Sequence, residues 1–199
     1  MDFLAVGILG SLWGSFANVC IYRLPLKGGV VKGRSFCPKC KKKIFWYENI
    51  PILSYLILGG KCSKCKKKIS TQYLLVEAIS IFSFLIIYYL FGISLTTILL
   101  IILFLSFLII FFIDLKYYII PDILTFPMMV LGFVKSFDPN LNPIFPNYTN
   151  SLLGGIIGYG IIWLIIMFYK KIRNREGMGL GDAKLLAVIG FWFGWISIP

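Results

Sequence analysis

Residues 78–113 contain no charged side chain. As one helix this run would be far longer than the hydrocarbon core of a bilayer, about 30 Å. It must therefore fold back on itself. Gly92-Ile-Ser94 supplies the break and predicts a hairpin of two spans, roughly 73–91 and 95–113. Further uncharged runs occupy 3–22, 123–134 and 151–169, and a last one begins at Leu185. With 59% hydrophobic residues and a mean hydropathy of +0.88, the chain reads as an all-α, polytopic membrane helix bundle of about six spans. The run from Leu185 to Pro199 is short for a full span. That predicts a longer parent with further spans.

Charge orients the bundle. Net charge is +12, and thirteen of the twenty Lys and Arg residues lie between Arg23 and Lys68. No basic residue precedes the first run, whereas Arg23 and Lys27 follow it. A cleaved signal peptide has the opposite arrangement, so residues 3–22 are read as a retained span with its N-terminus outside and its C-terminal end cytoplasmic. Residues 138–150 are rich in proline and asparagine, lack Lys and Arg, and read as an external loop. Lys170, Lys171, Arg173 and Arg175 mark the cytoplasm again. Gly10 and Gly14, like Gly154, Gly155, Gly158 and Gly160, are expected to let helices pack closely. Ser15 and Asn18 are expected to bond neighbouring helices.

The basic loop carries Cys37-Pro-Lys-Cys40 and Cys62-Ser-Lys-Cys65, each followed by a lysine run. Four thiolates at this spacing complete a tetrahedral zinc site and fold a loop too small to build a core. Disulfides are disfavoured in the reducing cytoplasm, where the charge pattern puts the loop. A closed four-sulfur site has no open coordination position, so the zinc is structural. Cys20, in the first span, reads as an inert buried thiol. The lysines suit anionic lipid headgroups, and no nucleic-acid partner is expected.

The chain has no histidine, which excludes Ser-His and Cys-His catalysis. Acid–base chemistry falls to few residues. Asp114 closes the long uncharged run, at the end of a helix where the dipole disfavours a negative charge, so a cap does not explain it. Asp122 precedes a new apolar run and fits an N-cap. Glu77 suits the cytoplasmic start of the first span of the hairpin. Gly177-Met-Gly179-Leu-Gly181-Asp182-Ala-Lys184 lies between two apolar runs. Its glycines can take unusual dihedrals and admit a substrate strand, and Lys184 is placed to tune Asp182. No strand precedes it, so a nucleotide loop fails. The topology puts Asp114 and Asp182 on one cytoplasmic face. Two carboxylates sharing one proton can hydrolyse a peptide bond without a covalent intermediate.

These residues resemble the type IV prepilin peptidases, membrane aspartyl proteases of the GxGD class. The likeness runs through Gly14-Ser-Phe-Ala-Asn18-Val-Cys-Ile-Tyr-Arg23-Leu-Pro25, the four loop cysteines and Tyr47-Glu-Asn-Ile-Pro51. It continues through Ile69-Ser70, Val76-Glu77, Asp114, Pro121-Asp122-Ile-Leu-Thr125 and Gly179-Leu-Gly181-Asp182-Ala-Lys184. The resemblance implies cleavage of the leader peptide from prepilin or pseudopilin precursors at the cytoplasmic face of the inner membrane. Many members also N-methylate the new N-terminus with S-adenosylmethionine, whose binding residues the motifs do not identify. Asp114 and Asp182 would be the catalytic pair, with Gly179, Gly181, Lys184 and Asp122 supporting. Glu48 stands where an aspartate is more usual, and Gln72 near where an arginine is common.

The expected organisation is a first span over 1–22, a zinc-binding loop over 23–72 and a peptidase core over 73–199. Two rival classes are a proton-coupled transporter and a non-catalytic zinc-bearing scaffold. The transporter predicts acids at the bilayer midplane and an inverted repeat, and this chain shows neither.

Overall fold

The structure, a computed structural model, describes residues 2–26, 35–37, 39–141, 144–173 and 179–198. Lys27, Arg175 and Gly177 lie outside the described residues. The chain divides into two compact units, Met1–Tyr117 and Tyr118–Pro199. Among the described residues all regular structure is helical, apart from two isolated β-bridges.

The first unit holds α1 (Phe3–Arg23), the short α2 (Leu53–Ile57), α3 (Thr71–Phe91) and α4 (Leu95–Tyr117). Helix α3 ends at Gly92, which takes φ +60°, and α4 starts three residues later. The turn falls where the glycine allowed it, because a Cβ disfavours that conformation. The buried face of α1 (Val6, Gly10, Gly14, Ala17, Ile21) follows helical spacing and packs on α3. A Cβ on Gly10 would stand 2.9 Å from the Ile81 Cα, and one on Gly14 would stand 2.9 Å from the Glu77 Cα. The two backbones therefore meet through the small residues. Asn18 Nδ2 donates to the Tyr73 carbonyl at 3.1 Å, so this span residue does bond its neighbour.

The second unit holds α5 (Asp122–Val134), α6 (Tyr148–Arg173) and α7 (Leu180–Phe193). Helix α6 packs on α7, and α5 on both. Ser151, Gly154, Gly155 and Gly158 form the buried stripe of α6. A Cβ on Gly190 of α7 would strike the Gly154 carbonyl oxygen. Gly190→Ala should therefore lower stability by about 1–3 kcal/mol, the usual cost of overpacking against atoms that cannot move aside. Thermal unfolding in detergent, read against Gly160→Ala, checks it, since nothing lies within 4 Å of a Cβ on Gly160.

At one end of this unit Lys135 is 5% exposed. Its Nζ donates to the Trp192 carbonyl at 3.0 Å and sits 3.9 Å from the Phe145 ring centre. The ammonium thus caps the C-terminal turn of α7, where a positive charge is favoured. Trp192 Nε1 donates to the Met128 carbonyl, and Ser151 Oγ to the Phe191 carbonyl. These bonds tie α5, α6 and α7 together.

Among the described residues four helices, α1, α3, α4 and α6, are long and apolar enough to cross a membrane. Helices α5 and α7 have 13 and 14 residues, about 20 Å each at 1.5 Å per residue. Of the six expected spans, these two are shorter than a full crossing.

Candidate functional site

The four cysteines come together. Cys37, Cys40, Cys62 and Cys65 place all their sulfurs within 4.8 Å of one another and can hold a metal ion. Sγ of Cys37 and Cys65 are 4.0 Å apart, and those of Cys40 and Cys62 3.9 Å. Four ligands at a zinc–sulfur distance of 2.3 Å stand about 3.8 Å from each other in a tetrahedron. A disulfide needs about 2.05 Å, and all five cysteines are free. The residues fit zinc.

The cluster is built by two copies of one turn. In the first, Lys41 N–H donates to the Cys37 carbonyl and Cys37 N–H to the Lys42 carbonyl. In the second, Lys66 N–H donates to the Cys62 carbonyl and Cys62 N–H to the Lys67 carbonyl. Lys41 and Lys66 take φ +54° and +56°. A single bridge closes each copy, Phe36 with Lys43 and Lys61 with Lys68. Backbone N–H groups of Cys65 and Lys64 hold the Cys62 thiol down to about 6. Cys40 is pushed up to about 11, its Lys42 N–H bond being outweighed by desolvation and the neighbouring thiols. Metal binding must therefore displace protons from the cluster.

Lys42 links the copies. Its Nζ donates to Glu48 Oε1 and to Ser63 Oγ, both at 2.7 Å. Glu48 Oε2 accepts the Phe45 N–H at 3.1 Å. The Lys42 ammonium, then the Ser63 hydroxyl and the Phe45 N–H, hold the Glu48 carboxyl down to about 2. A depressed carboxylate stabilises the fold above its unfolded pKa and ceases to do so as pH falls through its folded one. The contribution of Glu48 is thus complete above 4.5 and fades as pH falls toward 2. Carboxyl carbon NMR should show Glu48 titrating near 2 in the folded loop, and Lys42→Met should move that midpoint back toward 4.5.

Asp114 lies in the last turn of α4, in the first unit, and is exposed. Asp182 lies in the first turn of α7, in the second, and is partly exposed. No hydrogen bond or ion pair is recorded for either carboxylate among the described residues. Among the described residues, neither is consumed by a structural partner. The N-cap of α7 is Gly179, in extended conformation, with Asp182 three residues on and making no side-chain cap. A capping role therefore does not account for Asp182.

The supporting residues differ from expectation in three ways. Pro121, not Asp122, occupies the N-cap of α5, because its carbonyl accepts the first N–H bonds of the helix. Lys184 Nζ pairs with Asp122 Oδ1 at 2.6 Å rather than with Asp182. Neither Gly179 nor Gly181 has a positive φ. Gly181 is instead demanded by packing, as its Cβ would stand 3.0 Å from the Ile120 Cβ. A Cβ on Gly179 would meet Asp182 Oδ2 and Gly181 N at 3.8 Å, ordinary van der Waals contact, so packing does not demand this glycine.

Glu77 is buried, and its Oε2 accepts the Ile52 N–H at 2.8 Å. This acid is a structural fastener for the loop rather than a helix-start charge. Sequence reasoning assigns no role to Lys135, although a lone lysine beside an apolar helix was a visible signal.

Comparison with known proteins adds an independent line. Residues 8–91 match the family model for the bacterial Peptidase A24 N-terminal domain, and residues 101–199 match that of the type IV leader peptidase family. A prepilin leader peptidase/N-methyltransferase of Neisseria gonorrhoeae is 35% identical over 96% of this chain and 74% of its own length. The Pseudomonas aeruginosa protein of that name is 34% identical over 96% and 73%. A Klebsiella pneumoniae counterpart is 34% identical over 96% and 84%. No solved structure matches.

Proposed function

Since this chain belongs to the type IV leader peptidase family, we propose that it is a membrane aspartic endopeptidase that removes the leader from prepilin or pseudopilin precursors. The same protein N-methylates the new N-terminus. The observation that carries the hydrolytic reading is the state of Asp114 and Asp182: two carboxylates, each at a helix end, neither engaged by a structural partner among the described residues. The relatives bear the activity in their name.

The reaction follows from carboxylate chemistry. One aspartate, ionised, takes a proton from water as its oxygen attacks the scissile carbonyl carbon. The other, protonated, donates to the carbonyl oxygen. Collapse of the tetrahedral intermediate breaks the C–N bond, and the amine leaves with the proton the base had taken. Asp122, held by Lys184, serves as a positioning residue at the start of α5. Gly179 and Gly181, lacking side chains, let the substrate strand pass close to the backbone. S-adenosylmethionine supplies the methyl group to the new N-terminus, and no residue here is assigned to bind it.

The four cysteines hold a structural zinc ion that fixes the loop over 23–72. The basic segments place that loop and both aspartates on the cytoplasmic side of the inner membrane, with the N-terminus outside. The leader itself would be repelled by the lysines if it is basic, so the loop faces lipid headgroups.

The purified chain in liposomes, given a pilin-like precursor and methyl-labelled S-adenosylmethionine, should release the leader and label the shortened product. An intact precursor under conditions where a relative cleaves it would sink the proposal.

A further inference from the structure

Between the two cysteine turns the chain runs through a 3₁₀ turn (Trp46–Asn49) and then α2. Ser54, the one buried residue of α2, fixes the two together. Its hydroxyl donates to the Tyr47 carbonyl at 2.8 Å and accepts the Ile50 N–H at 2.9 Å. Next to it, Ile52 takes φ +59°, a conformation rare for a β-branched residue. That conformation accompanies the Ile52 N–H bond to the Glu77 carboxylate.

Glu77 reports how deep the segment goes. It lies six residues past Thr71, where α3 starts, about 9 Å along the helix axis. On α1 the residue facing it is Gly14, whose Cβ would stand 2.9 Å from the Glu77 Cα; Gly14 lies nine residues before Arg23, where α1 ends, about 14 Å from that end. The loop therefore returns alongside α1 and α3 to a level inside both of their ends.

At that level the segment is apolar and uncovered. Leu53, Leu56 and Ile57 share one face of α2 at helical spacing, all exposed, with Ile57 at 82%. Trp46, in the preceding turn, is 81% exposed. The described part of the loop also carries nine lysines against one acid, Glu48, which is already paired.

The geometry points to a re-entrant interfacial element: residues 46–57 lie in the headgroup–acyl boundary of an anionic phospholipid leaflet, with the α2 face toward the acyl chains. The lysines of the two cysteine turns lie above it, among the headgroups. Apolar residues flanked by lysine and tryptophan are what that boundary takes up. This placement does not depend on the peptidase reading. It follows from the helix ends, the Ile52 bond to Glu77 and the packing of Gly14 against Glu77.

Spin labels test it. Ile57→Cys, Leu53→Cys and Lys66→Cys are each made in the full chain carrying Cys20→Ala, with zinc bound. Each is reconstituted into vesicles of phosphatidylcholine with added phosphatidylglycerol. Labels at 57 and 53 should collide with oxygen in preference to a water-soluble nickel chelate and report a depth of about 5–10 Å. The label at 66 should show the reverse preference. Chelate access at 57 and 53 equal to that at 66 overturns the proposal. So does immobilisation of all three labels by a single-stranded oligonucleotide without any depth at 57, which would assign the surface to nucleic acid. Precursor cleavage measured on the same samples keeps a failure of the peptidase reading separate.

Discussion

Asp114→Asn and Asp182→Asn should each lower precursor cleavage by about 10²–10⁴-fold, the usual contribution of a positioned acid or base. Asparagine keeps the shape of aspartate but neither takes a proton from water nor gives one to the leaving amine. The double variant should be little worse than either single one, because two groups that act as a unit lose their function together. Neither carboxylate has a recorded structural bond among the described residues, so both variants should insert and keep the metal. Cleavage rates in liposomes, alongside metal content and melting curves, separate lost chemistry from lost folding. Near-normal cleavage by either variant would refute the two-aspartate mechanism and bring Asp122 or a scaffold role forward.

The second large effect is expected at the cysteines. Metal removal by a chelator, or Cys62→Ser with Cys65→Ser, should unfold the loop while leaving α1, α3 and α4 intact. Structural zinc binding amounts to about 10–16 kcal/mol in small cysteine domains, and most of it is folding free energy. Beyond the hydrogen bonds of Lys42, Ser54 and Glu77 the described loop has little to hold it: no residue of the Trp46–Asn49 turn is buried, and its regular pairing is confined to two isolated bridges. Limited proteolysis should cut within 35–70 only after metal loss, leaving membrane fragments of predictable mass. A chelated chain as resistant as the native one would mean that the thiols are structurally idle. Zinc measured at one equivalent per chain before chelation completes the test.

Several features were legible because local chemistry decides them. An uncharged run too long for one crossing has to turn, and Gly92 was the residue best able to do so. The cysteine spacing foretold the cluster because each pair builds its own turn from adjacent backbone groups. The small residues of α1, and Gly154, Gly155 and Gly158 of α6, foretold close packing, whereas Gly160 packs against nothing. The misreadings share another cause. Whether Lys184 reaches Asp182 or Asp122 depends on where α5 lies against α7, and nothing within four residues of Lys184 encodes that. Gly181 looked like a conformational glycine but is small because Ile120 approaches it. Pro121 took the N-cap from Asp122 through its carbonyl, a group common to all residues and therefore silent in a motif. Glu77 is recruited by Ile52, 25 residues away in sequence.

The division of the chain at Tyr117 and Tyr118 gives each compact unit one of the two aspartates. On the mechanism above, neither half is a hydrolase. A protein still emerging from its insertion machinery, with only the first unit in place, holds half of an acid–base couple and cannot attack its neighbours. On that mechanism, catalytic competence would arrive only once the second unit is in place. The same partition offers an experimental handle: the two halves, produced as separate chains, should be silent apart and recover leader cleavage only when they find each other in the bilayer.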